Sequence, residues 1–235
     1  MSLFDIITFL ISFGIVFLGV IFTFKHYLSL NSRIEDFYFL MASLCVCTYY
    51  IGGLIIYGMG EMTLNIGMFS HYHLLWGYWF FTLFLFQIAP VGNLIGRRII
   101  HVILAFLAVF GTAFSAGFSN PHFLRQEIVQ GAFSLAMQMD YSLDTLFVMS
   151  IQIVKLTIIS FGILFAWNLE KGLSWFFFAI CFLFMNEFCS FLNLSLHTEQ
   201  PVVLYFKIAQ IMSILSCSFT FMGIREHFCK RKSRI

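Results

Sequence analysis

The chain has 235 residues, of which 60% are hydrophobic, 20% aromatic and only 10% charged, with a formal net charge of +2. A soluble domain of that length needs far more polar surface to cover itself, so soluble folds are excluded and no nucleic acid is expected as a partner. Apolar stretches of about 20 residues recur along the whole length, each long enough to cross a hydrocarbon layer of about 30 Å. The expected class is therefore an all-α, polytopic membrane protein: a single bundle of seven transmembrane helices over residues 1–235.

In chain order the predicted spans cover residues 3–24, 37–59, 66–90, 99–118, 143–168, 173–195 and 201–224. The first is too long for a signal-peptide core and lacks a small-residue cleavage pattern, so it is kept as a membrane helix. Short polar connectors such as "KHYLSLNSRIED", "GEMTLN", "VGNLIGRR", "LEKG" and "LHTEQ" separate most of the spans. The exception is the segment 119–142. There Asn120 suits an N-cap and Pro121 a first helical position. Leu124, Ile128, Leu135 and Met139 then fall along one face, with Gln126, Gln130, Ser134 and Gln138 broadly opposite. That pattern predicts an amphipathic segment over 120–139, lying on the outer membrane surface or folded over the bundle as a lid.

Charge sets the predicted direction. Lys25, Arg33, Arg97, Arg98 and Lys171 fall in connectors on one side, and the tail "IREHFCKRKSRI" adds Arg225, Lys230, Arg231, Lys232 and Arg234. The opposite connectors hold Arg125 as their one Lys or Arg. By the positive-inside rule the N-terminus lies outside and the C-terminus in the cytoplasm, with the basic tail expected to meet anionic headgroups of the cell membrane. The six cysteines show no C-x-x-C spacing, and five sit within apolar runs, as small packing residues do.

Ionisable groups within spans are costly and usually face the bundle interior or a wet cavity. Here they are His71 and His73 in span three, Lys155 in span five, Glu187 beside Asn186 in span six, and Lys207 in span seven. At about 1.5 Å per residue, His71, His73, Glu187 and Lys207 all lie roughly 8 to 12 Å from the outer end of their spans, whereas Lys155 lies near the midplane. Glu187 needs a cationic partner. Lys207 on the next helix is closest in depth, and Lys155 is the alternative.

Residues two apart on a helix point about 200° apart. His71 shares a face with Leu75, Tyr78 and Thr82, and His73 with Gly77, Phe80 and Phe84. The two histidines therefore do not ligate one ion, and no metal is expected. One of them is expected to face the bundle near Glu187 and Lys207, in a ligand-binding or buried polar cluster with Tyr78, Lys155 and Asn186, while the other meets the interface. The alternative for both is the headgroup layer, alongside Tyr72, Trp76 and Trp79. His101 is expected to be interfacial. No nucleophile–base pair or acidic metal motif is recognisable, so no catalytic residue is assigned and an enzyme is not the expected class.

The first two spans, with "FKHYLSLNSRIEDFYF" and "YYIGGLIIYG", and "YWFFT" in the third, are faintly similar to microbial rhodopsins. That family implies a retinal-linked lysine in mid-span seven, one turn after an aspartate. Here Lys207 comes early in its span, Val203 stands at the acid position, and Tyr78 stands where the span-three counter-ion belongs, so retinal is not expected. In general layout the chain resembles the seven-transmembrane sensor domains of bacterial histidine kinases. The resemblance rests on orientation, on the aromatic "LLWGYWFFTLFLFQIAP", and on "GFSNPHF" leading into an outer segment. It implies a sensor, and the aromatic richness and the lid over 120–139 favour one that binds a small, mostly apolar ligand from the outer side or the outer leaflet, without a cofactor. No output domain follows residue 235, so the signal would pass to a separate membrane or cytoplasmic partner, or the chain is part of a longer protein. A solute or proton transporter built on Lys155, Glu187 and Lys207 is one alternative, and a structural subunit of a membrane complex is the other.

Overall fold

A computed structural model describes residues 3–29, 33–59, 64–90, 94–118, 143–170, 173–195 and 199–232. Seven helices occupy them: α1 (Leu3–Ser29), α2 (Ile34–Met59), α3 (Leu64–Ile88), α4 (Leu94–Phe118), α5 (Leu143–Trp167), α6 (Ser174–Ser195) and α7 (Glu199–Lys232). Among the described residues no strand occurs, and six of the seven helices are long and apolar enough to cross a membrane. The amphipathic segment expected over 120–139 lies outside the described residues.

Helix ends differ from the predicted span ends because charged residues extend helices that apolar runs alone would stop. α1 continues past Lys25 to Ser29, and α4 starts at Leu94, before Arg97 and Arg98. α2 begins at Ile34 because Asp36 caps it. The Asp36 Oδ2 accepts the Arg33 backbone N–H at 3.1 Å, while the Arg33 carbonyl accepts from the Asp36 N–H at 3.1 Å. This reciprocal pair satisfies two groups that a helix start otherwise leaves bare. α3 stops before Pro90, and Arg97 Nη2 reaches the carbonyls of Phe86, Gln87 and Ala89 at its end, each at 3.4 Å. A cation over terminal carbonyls is also favoured by the helix dipole.

The largest departure is α7. It does not end near residue 224 in a basic tail; it continues for 34 residues to Lys232. Its last turns pack inward. Phe228 is 1% exposed and stacks on His26 at 4.5 Å, and His227 meets the edge of Phe84 at 5.7 Å. Of the residues expected in a headgroup-facing tail, Arg225 and Cys229 are exposed, and Lys230 lies 3.9 Å from Glu170.

Contacts along the chain show neighbouring helices running antiparallel. Phe9, early in α1, meets Tyr50, late in α2, at 5.1 Å. Phe39, early in α2, meets Phe84, late in α3, at 5.0 Å. Packing closes six helices into a ring in the order α1, α2, α3, α5, α6, α7, with α7 returning to α1. α4 stands outside this ring, seated on α5 and touching α3 only marginally. Gly111 allows that seat, because a Cβ there would lie 2.5 Å from a methyl of Val154. The far face of α4 is bare, with Val102 68% and Phe106 63% exposed, as expected where lipid is the solvent.

α3 is the most enclosed element. Phe81 to Phe86 are six consecutive buried residues, so the helix is covered on every side over that stretch. It packs between α2 and α5.

Candidate functional site

Small side chains decide where the bundle does not close. α1 turns Thr8, Ser12 and Gly19 inward, and α7 presents Ala209, Ser213, Ser216 and Thr220. Spacings of three, four or seven residues keep each set on one helical stripe. In a chain this rich in phenylalanine, two stripes of small residues leave space that neither side fills. The result is a cavity of about 240 Å³, walled by every helix of the ring and by none of α4.

Two charged side chains are among the residues lining it, Lys155 and Glu187, and they belong together. Lys155 Nζ lies 3.5 Å from Glu187 Oε2, with the lysine 1% and the glutamate 3% exposed. The partner expected for Glu187 was Lys207. The structure replaces it with Lys155, and Lys207 is exposed. Depth along a helix did not decide the matter; rotation did, because the face of α7 that meets the cavity carries Ala209, Gln210 and Ser213 rather than Lys207.

Neutral donors complete the carboxylate's environment. Tyr78 donates its hydroxyl to Glu187 Oε1 at 2.5 Å, and the Asn186 amide reaches the same oxygen at 3.4 Å. The Gln152 amide donates to Glu187 Oε2 at 2.5 Å and to the Glu187 carbonyl at 2.8 Å. Lys155 Nζ also lies 3.4 Å from Gln152 Oε1. A charge taken out of water is tolerable when paired and fully hydrogen-bonded, and this one is both. α3, α5 and α6 are thereby tied at one level.

Of the residues expected to form a polar cluster, Tyr78, Lys155, Asn186 and Glu187 are brought together, and Lys207 is not. His73 is half-buried on α3, and the side chain of His71 lies outside the described residues. The face assigned to His71 (Leu75, Tyr78, Thr82) is buried throughout. His101 is more than an interfacial residue: its ring lies 3.1 Å from the Gln87 amide and 2.9 Å from the Arg97 carbonyl. Among the described residues no group of three or more His, Cys, Asp or Glu side chains is placed to hold a metal.

A second polar pole was not anticipated from sequence. The Tyr50 hydroxyl shares a 2.9 Å hydrogen bond with Ser213, linking α2 to α7 across the cavity wall. Beside it, Gln210 Oε1 is buried and has no hydrogen-bond partner. Toward the other end the cavity turns apolar. Phe39 and Phe81 line it there, and behind them Phe84, Phe176 and Phe228 form an aromatic floor, with Phe84 and Phe176 5.1 Å apart edge to face. The hydroxyls of Ser43, Ser216 and Thr220 in this half already bond to backbone carbonyls at 2.8 to 2.9 Å.

No protein-family model, curated protein or solved structure matches the chain.

Proposed function

We propose that this chain is a receptor-like protein of the cell membrane, one that takes a small, mostly apolar ligand into the cavity of its six-helix ring. One observation carries the reading. The cavity is apolar over most of its wall, is closed at one end by aromatic side chains, and has a few polar groups converging at the other. Such a combination is typical of small-molecule sites, in which apolar lining gives affinity and a few polar groups orient the ligand. The excess of Lys and Arg on one set of connectors supports placing the N-terminal end outside, which would put the polar pole in the outer half. A signal would then leave through α7, which lines the cavity and carries the basic C-terminal turns, to a membrane or cytoplasmic partner.

The Lys155–Glu187 pair also supports a second reading, a proton or solute transporter, since buried ion pairs mark such routes. Against it, the carboxylate is already saturated by donors, and the aromatic floor blocks the way onward.

The experiment that tests the receptor reading is mass spectrometry of small molecules retained by protein purified in lipid nanodiscs. Wild type is expected to carry a compound that Gly19→Leu loses, because a side chain at position 19 grows into the cavity. Identical retained compounds in both would overturn it.

A further inference from the structure

We infer that the ligand is a neutral, single-chain amphiphile, in chemical terms an uncharged lipid with one long chain. This rests on the cavity being a ligand site, and it adds the ligand's shape and charge.

Shape comes first. The α1 lining from Thr8 to Gly19 and the α7 lining from Ala209 to Ile224 run about 16 Å and about 22 Å along their axes, at roughly 1.5 Å per residue. One leaflet of a bilayer, half of about 30 Å, is the depth that a single lipid chain fills. A void of about 240 Å³ with a lining of that length suits one chain. A globular ligand does not suit it.

Polarity gives the direction. Ile15, Val16, Phe39, Phe81, Phe221 and Ile224 line one half, and the hydroxyls in that half are spent on backbone carbonyls. Glu187, Gln152, Tyr50 and Gln210 line the other. The chain of the ligand therefore points at the aromatic floor, and its head lies level with Glu187.

Charge limits the head. Lys155 and Glu187 are the two charged groups in the lining, and they neutralise each other. An incoming carboxylate or ammonium would have to break that pair or stay uncompensated in a low-dielectric site, and either is costly. A neutral head leaves it intact.

The test uses four probes of equal chain length: 1-dodecanol, dodecyl methyl ether, dodecanoate and dodecylammonium. Their binding is measured on the full chain in nanodiscs by native mass spectrometry. Dodecanol and the ether, both uncharged, are each expected to bind about a hundredfold tighter than either ion. Gly19→Leu should abolish binding of all four, with unchanged thermal unfolding showing that the variant is folded. Tight binding of either ion would overturn the neutral head. That result would leave the cavity a ligand site. Binding of no probe, or binding that Gly19→Leu does not alter, would overturn the single-chain inference. The retained-compound comparison between wild type and Gly19→Leu judges the receptor reading separately.

Discussion

Lys155 Nζ lies 3.5 Å from Glu187 Oε2, with both side chains enclosed by the bundle and joined to Gln152. Each charge is tolerable there because the other is present. Removing one partner leaves an uncompensated charge inside the ring. Lys155→Met and Glu187→Gln are therefore each expected to destabilise the protein, the first by about 3–5 kcal/mol. The double variant that combines Lys155→Met with Glu187→Gln should cost less than the two single changes summed. Lys207→Met, on the exposed face of α7, should shift stability by no more than about 0.5 kcal/mol. Thermal unfolding in nanodiscs measures all four variants. Additive losses, or a large effect at Lys207, would count against the pairing.

Tyr78 supplies the Glu187 carboxylate with a hydroxyl donor from a third helix. Tyr78→Phe keeps the ring in place and deletes that donor. The expected loss is about 1–3 kcal/mol, typical of leaving a buried charged acceptor one bond short. An unfolding temperature equal to that of wild type would mean that the other donors suffice.

Two glycines should respond in opposite ways to alanine. At Gly223 a Cβ would lie 2.8 Å from the ring of Phe176, a fully buried side chain that cannot easily give way. Gly223→Ala is expected to cost about 1–3 kcal/mol through overpacking. At Gly14 a Cβ meets nothing within 4 Å. Gly14→Ala should stabilise α1 by up to about 1 kcal/mol through helix propensity. The same sign at both sites would refute this account of how α7 packs on α6.

Orientation is tested by reporters. A tag following Ile235 is expected in the cytoplasm and one inserted at Gln130 outside, on the strength of the Lys and Arg bias between connectors. Reporters found on one side together would require a different number of crossings between them.

Hydropathy alone placed the helices, because each must hide its backbone in about 20 apolar residues, and that requirement is written directly in the sequence. What could not be read was rotation and neighbourhood. Glu187 has two lysines within reach in sequence terms, and the choice of Lys155 depends on which face of α7 turns inward. The position of α4 outside the ring was equally hidden, since a lipid-facing helix and a buried one are both apolar. The cavity did leave a trace: Thr8, Ser12 and Gly19 on α1, and Ala209, Ser213, Ser216 and Thr220 on α7, are stripes of small residues at helical spacing. Their meaning depends on the two stripes facing each other, which only the fold supplies.

The length of α7 has a mechanical consequence. Its 34 residues make a rod of about 51 Å, well beyond the roughly 30 Å of a hydrocarbon layer. Ser213 sits at the cavity, and Gly223 rests against the ring of Phe176 about three-quarters of the way along. Beyond that point Phe228 stacks on His26 and His227 meets the edge of Phe84, so the rod is gripped on both sides of Gly223. One unbroken helix therefore joins the cavity lining at Ser213 to the packed turns that carry Lys230.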